Sequence, residues 1–386
     1  MTLRYLAITI ITFSSGVSLQ FAGPFAPAAL EPGSTAIAFD DSRVAGWVTA
    51  VAELVRGPVD ITVPTGAVTT FGSASDLIGP AGAFGSEFDP VVSLGDGGHA
   101  TVTFAHSLRD LPGPDLAVFE NSFNGSFLEL AFVEVSSNGV DFFRFPAESL
   151  TPTGSQVGGF GSLDPTNLYN LAGKYEAGFG TPFDLAELHG VSTLLDVNAV
   201  THVRIVDVIG TIAVADATFD SMNRKVNDPY PTNFPTGGFD LDGVAVLFPF
   251  SESYNDWAGR NFTAAEASQS GFDIDFEQDG LINGLEAAFL RDPRSNDPGE
   301  ILEVMRSGDG ITFSFVRVPW MPEFTYALEV GSTLGSWDVV AISENGGETV
   351  NVDAEDVEEM PVAGGIKVYV TLDEVGNFFG RVRVSR

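Results

Sequence analysis

At 386 residues the chain is too long for one ordinary hydrophobic core, so two domains are the default, and 44% apolar residues fill real cores and exclude general disorder. A formal net charge of −34, from 18 basic and 52 acidic side chains, repels nucleic acid and anionic lipid and draws divalent cations. With no cysteine the chain has no disulfide, thiol nucleophile or thiolate-held metal, and an exported chain of this kind needs another staple, of which calcium is the common oxygen-ligated one.

Met1–Gln20 has the pattern of a signal peptide. Arg4 gives a basic start, Leu6–Phe13 is an apolar run too short to span a membrane, and small residues follow at Ser14–Ser18. A buried N-terminal strand is the alternative. No later stretch reaches about 18 consecutive apolar residues, so no membrane span is expected.

From Thr35 to Phe250 short apolar runs alternate with Gly, Pro, Asn and Asp, which predicts many short strands joined by turns. Val44, Trp47, Val48, Val51, Leu54 and Val55 have helical spacing, but β-branching weakens a helix there. Val91–Leu94 and Ala100–Phe104 flank Gly95-Asp96-Gly97-Gly98, which is hairpin chemistry. Asp115–Glu120 and Leu128–Val135 are strand candidates, and Asn138-Gly139 predicts a tight turn into Phe142–Phe145. His202–Ile209 and Val244–Phe248 are apolar at both parities, as central strands are. Two long irregular stretches, Thr151–Gly180 and Asp216–Gly238, read as functional or metal-ordered loops, or as plain surface decoration.

A boundary falls near Pro249–Asp256. Phe262-Thr263-Ala-Ala-Glu266 is a capping box behind an apolar residue and predicts a short helix from Thr263. The segment Asp275-Phe-Glu-Gln-Asp-Gly-Leu-Ile-Asn-Gly-Leu-Glu286 then fits a twelve-position EF-hand-type calcium loop. Its oxygen ligands are Asp275, Glu277, Asp279, the Leu281 carbonyl, Asn283 and a bidentate Glu286, with Gly280 at the sharp turn. Glu277 departs from the pattern, because a shorter Asp or Asn is usual at the third position. An acidic surface turn without metal is the competing explanation. Leu285–Leu290 continues as the outgoing helix, ended by Pro293, and Ile311–Val316, Tyr326–Val330 and Ile366–Leu372 predict a small β domain. No second loop of the kind is present, so the calcium reads as a structural clip.

Several longer motifs carry a resemblance. Gly113–Asn121, Glu129–Gly139, Val91–Gly98, His202–Asp207, Asp228–Phe234 and Gly237–Val244 together resemble a family of secreted bacterial cell-surface proteins of planctomycete and verrucomicrobia type, over roughly Phe25–Phe248. The likeness implies a jelly-roll sandwich similar to galactose- and carbohydrate-binding modules. It implies no particular activity. The C-terminal part resembles surface-protein tails in which a calcium loop precedes a small β domain, and Glu329–Trp337 carries that likeness.

In such sandwiches a calcium ion often ties the last strand to an earlier one. Asp240 and Asp242 share a strand face by alternation, and Asp115, Glu120 and Asn121 lie on or beside another strand. A second calcium at Asp240, Asp242, Asp115 and Glu120 is therefore expected, against a cage of backbone N–H donors. His99, His106, His189 and His202 lack zinc spacing, and neither a nucleophile elbow nor a phosphate loop occurs. Glu120 and Glu134 are the best carboxylate pair for a glycosidase, and Trp47, Tyr169, Tyr175 and Tyr230 are candidate platforms for sugar.

The expectation is a mainly β chain. Residues 1–20 form the signal peptide, 25–250 the jelly-roll sandwich, 255–298 the calcium-loop segment and 300–386 the small β domain. Its expected role is a secreted or cell-surface, non-catalytic, calcium-binding module with a structural, adhesive or carbohydrate-binding part to play. Its partners would be calcium and extracellular glycans or surface matrix, and a polysaccharide hydrolase using a carboxylate pair is the alternative.

Overall fold

The computed structural model describes residues 23–82, 91–213, 215–248, 253–296, 299–307, 310–362, 364–373 and 379–386. Met1–Gln20, read as a signal peptide, lies outside the described residues, as does most of the boundary at Pro249–Glu252.

The chain is mainly β, and the first part is a sandwich of two antiparallel sheets. The first sheet runs Ile37–Ala38, Phe179–Phe183, Leu116–Glu120, Asp240–Leu247, Val44–Trp47, with Val92–Ser93 paired to the start of Asp240–Leu247. The second runs Ala50–Val55, His99–Leu108, Val200–Asp207, Ala131–Ser136, Phe143–Arg144. Strands near in sequence keep changing sheet, while sheet neighbours such as Val44–Trp47 and Asp240–Leu247 come from opposite ends of the domain. That is jelly-roll connectivity.

Each sheet buries one face in a shared core. Leu116, Val118, Leu241 and Val244 of the first sheet meet Val102, Val133, Val203 and Ile205 of the second. The central strand Leu116–Glu120 is buried on both sides, because Ala117 and Phe119 join Ile37, Ala81, Ala245 and Leu247 on the outer face. This accounts for its unbroken apolar run.

The long stretches predicted as loops cover the outer face of the second sheet. Leu163, Leu168, Leu171 and Val226 pack there on Leu130 and Phe132. Buried amides stitch the two stretches together: Asn227 Nδ2 donates to the Pro152 and Ser155 carbonyls at 2.7 and 2.8 Å, and Gln156 Nε2 donates to Asn227 Oδ1 at 3.0 Å. Apolar burial and side-chain amides order these loops.

Two local expectations need correction. The Gly95–Gly98 segment is not a hairpin turn. Val92–Ser93 pairs in the first sheet and His99–Leu108 in the second, so the glycines, with Gly95 at φ 74° and Gly97 at φ 70°, carry the chain across the sandwich edge. The helical spacing of Val44–Val55 resolves as two strands, one in each sheet, so β-branching prevails. By contrast, the turn at Asn138-Gly139 does join paired strands, with Glu134 opposite Arg144.

The second correction concerns the helices. The capping box at Thr263 is formed, its N–H and hydroxyl both donating to Glu266 at 2.8 Å, yet it opens only the 3₁₀ turn Ala264–Glu266. Ala267–Gln269 are exposed and offer no apolar face to bury, so no longer helix is stabilised. The regular helix lies earlier, at Tyr254–Asn261, capped by Ser253.

The C-terminal part has two four-stranded antiparallel sheets. One is Glu303–Ser307, Gly310–Arg317, Gly365–Leu372, Asp356–Val362, and the other is Val350–Asn351, Ser336–Ser343, Thr325–Thr333, Phe379–Ser385. Their core is continuous with the helical segment. Trp257, Phe262, Ala287 and Phe289 pack with Phe313, Phe315, Tyr326 and Leu328, and Ala45 and Phe248 of the sandwich edge join them. The described residues of the 255–298 segment are thus a layer of the second domain. Among the described residues no helix is long and apolar enough to cross a membrane.

Candidate metal centre

The Asp275–Glu286 loop is shaped by its own backbone. Gln278 at φ 63° and Gly280 at φ 104° turn the chain back, and Asp275 accepts the amides of Asp279 and Gly280 at 3.2 and 3.0 Å. Asp279 Oδ1 accepts Leu281 N–H at 2.8 Å. Two backbone rungs close the neck, Asn283 N–H to the Ile274 carbonyl at 2.7 Å and Gly284 N–H to the Phe272 carbonyl at 2.9 Å. The loop braces itself where paired loops would brace each other.

Carboxylate oxygens of Asp275, Glu277 and Asp279 lie within 4.8 Å of one another. The outgoing helix Asn283–Ala288 brings in Glu286, which is 1% exposed. Neither oxygen of Glu277 nor of Glu286 has a hydrogen-bond donor, and no cationic side chain pairs with either among the described residues. Burial first, then the adjacent Glu277, pushes the Glu286 carboxyl up to about 8. Glu277 is raised too, by burial and by Asp279 and Asp275. Its longer arm, the departure from the usual pattern, is what brings it against Glu286.

Two residues of the loop have duties that spacing does not reveal. The Asn283 amide nitrogen donates to the Gln269 and Gly271 carbonyls at 2.9 and 3.0 Å, bracing the incoming chain. A Cβ at Gly284 would run into the Phe272 ring, so glycine there lets the helix and the incoming segment touch. The signal for Gly284 was a helix-interior glycine, which usually has a packing reason.

The second predicted set divides. Asp240 and Glu120 come together, since Leu241 is opposite Glu120 in the first sheet. Asp242 sits at a bulge on the outer face, where its carboxylate accepts Gly82 N–H at 3.0 Å. Asp115 is excluded. It precedes the same strand that Glu120 ends, its backbone bonds to Leu247, and its carboxylate accepts the amides of Leu111 and Leu185, both at 2.8 Å. Five strand residues, about 16 Å, separate it from Glu120. Asp110 and Asp184 cluster with Asp115, but Asp110 already meets His189 Nε2 at 2.5 Å.

The glycosidase pair does not converge. Glu134 points to the outer face of the second sheet and bonds Arg144 at 2.8 Å, while Glu120 is buried at the end of the first sheet. Of the aromatic candidates, Tyr175 is fully buried and Trp47 packs on Phe119 at 5.2 Å. Tyr169 and the buried Tyr175 both line a cleft of about 570 Å³, where Tyr169 stacks on Phe25 at 5.3 Å beside Lys174, Asn170 and Glu187, a cleft that Tyr230 does not line. Comparisons of the chain with protein-family models, curated proteins and solved structures return no match.

Proposed function

We propose that the chain is an exported, non-catalytic surface module whose second domain is clamped by a calcium ion in the Asp275–Glu286 loop. The observation that carries this reading is the four carboxylate oxygens of Glu277 and Glu286, buried without a donor beside the Asp275–Glu277–Asp279 cluster. Ionised carboxylates gathered in a half-buried site repel one another unless a cation or protons hold them. An all-oxygen set with no His nitrogen or thiolate suits a hard ion, and the irregular loop suits calcium over magnesium, which demands a tighter octahedron. Asp275, Glu277, Asp279, the Leu281 carbonyl, Asn283 through its unpartnered Oδ1, and Glu286 are the ligands.

The clamp acts at a junction. Glu286 shares its short helix with Ala287 and Ala288 of the second core, and Tyr326 Oη donates to the Ala288 carbonyl at 2.8 Å. Pulling Glu286 onto an ion therefore fixes the helix against the sheets. Calorimetric titration of calcium into metal-stripped protein tests the reading; heat is expected for the native chain and none for Glu286→Gln, and an unchanged isotherm in the variant would refute it.

A carbohydrate-binding role is favoured by the Phe25–Tyr169 stack, which exposes an aromatic edge in a polar-rimmed cleft. Extracellular glycans are the partners this surface fits.

A further inference from the structure

A row of phenylalanines lies open on the sandwich and shares no residue with the Asp275–Glu286 loop or the Tyr169 cleft. Phe123, Phe127, Phe160 and Phe234 follow one another with ring centroids 5.4, 6.1 and 5.6 Å apart and neighbouring planes within 37°. Phe123 is 71% exposed, and Phe160 is 76% exposed although it neighbours two other rings. Rings so open cannot be covering one another's faces, so they overlap at their margins and tile a strip. An apolar strip on a water-facing surface marks an interaction site.

Three loops present the strip, and the sequence locks each of them. Asn124 Oδ1 accepts the N–H groups of Ser126 and Phe127, both at 3.0 Å, and so turns the chain between Phe123 and Phe127. Gly161 N–H closes on the Gly158 carbonyl at 2.6 Å, and Gly237 N–H on that of Phe234 at 3.0 Å. Further rungs join loop to loop: Leu163 N–H to the Ser126 carbonyl at 2.7 Å, and Tyr230 N–H to the Val157 carbonyl at 3.0 Å. A Cβ at Gly159 would strike the Pro231 carbonyl, so glycine there lets the second loop lie on the third. The rings are in place before a ligand arrives, and no affinity is lost to ordering them.

Charge narrows the partner. The chain carries 18 basic and 52 acidic side chains, yet residues 121–127, 156–163 and 229–238 contain none of them. A second copy would bring another −34 to this face, and an anionic membrane would be repelled in the same way. An uncharged ligand with an apolar face and a rim of hydroxyls fits. The C–H face of a neutral sugar lies on an aromatic ring, and its hydroxyls meet the Ser, Thr and Asn side chains of the same loops.

We propose that this strip docks the flat face of a solid, neutral polysaccharide, with chains packed side by side as in cellulose or chitin. A row of open rings meets many sugars at once, whereas the concave Tyr169 cleft suits a single soluble chain. The class of ligand rests on the glycan reading above, and the site does not.

Co-sedimentation of the full chain with cellulose and with chitin powder tests this, with phosphatidylcholine vesicles as the lipid control. Native protein is expected to sediment with at least one powder and to stay in solution with the vesicles. The double variant Phe123→Ala, Phe160→Ala should lose about tenfold or more of that binding. Both side chains are mostly exposed, so its melting curve should match the native one. Tyr169→Ala should sediment as the native chain does. Native protein that sediments with neither powder overturns the strip, and so does full binding by the folded double variant. Binding to vesicles instead, lost in the double variant, overturns it in favour of a lipid surface. Soluble oligosaccharides bound by native chain and double variant alike, with neither sedimenting, would sink the strip and spare the glycan reading of the cleft. Sedimentation without oligosaccharide binding would do the reverse.

Discussion

Glu277 and Glu286 present their carboxylates to each other across the loop, with no donor on any of the four oxygens. In the metal-free chain one proton is a means of relieving that repulsion, and under the proposed function calcium is the other; the two would then compete for the same oxygens.

Metal-free protein is expected to lose stability as pH rises. The Glu286 carboxyl goes from an ordinary 4.5 to about 8 on folding, so the folded chain binds the proton more tightly than the unfolded one. Stability from this group is fully present below about 4.5 and lost as pH climbs to about 8. Asp240, raised by burial to about 6, and Asp115, to about 9, act in the same direction. Melting temperature measured from pH 4.5 to 8.5 should fall without calcium and flatten with it. A rise over that range would contradict the assignment.

Glu286→Gln should abolish the part of the calcium response that belongs to the loop. At ten times the dissociation constant a single ion adds about 1.4 kcal/mol. That corresponds to about 2 °C when the whole chain melts as one unit. Scanning calorimetry of the variant should lose an increment of this order, and a full native increment would remove the loop as a site.

Asn283→Asp separates ligand from brace. An aspartate supplies a better oxygen ligand but no N–H for the Gln269 and Gly271 carbonyls. The structure predicts weaker calcium binding and a loss of about 1–3 kcal/mol in denaturant unfolding. Tighter binding at unchanged stability would make position nine a ligand and nothing more.

Tyr169→Ala should erase signals on a glycan array while leaving the calcium-dependent melting shift intact, since the Phe25–Tyr169 cleft and the loop share no residue. Native protein silent on the array, with and without chelator, would leave the structural role alone.

Much of the sandwich was legible because its strands obey simple periodicity, as in Val200–Asp207, where Val203 and Ile205 turn inward. The gathering of Asp275, Glu277 and Asp279 was legible because their spacing is local. What sequence could not show was long-range. Asp115 read as a neighbour of Glu120 until the strand between them set them at opposite ends. The Gly95–Gly98 segment looked like a hairpin because turn residues report that a chain bends and not which sheet it enters next.

Ala45 and Phe248 of the sandwich edge sit in the same apolar cluster as Trp257, Phe289 and Phe315. Heating cannot expose one half without stripping cover from the other, so the molecule should melt in a single calorimetric step. An ion captured in the loop would then be felt as added resistance by strands that never touch it.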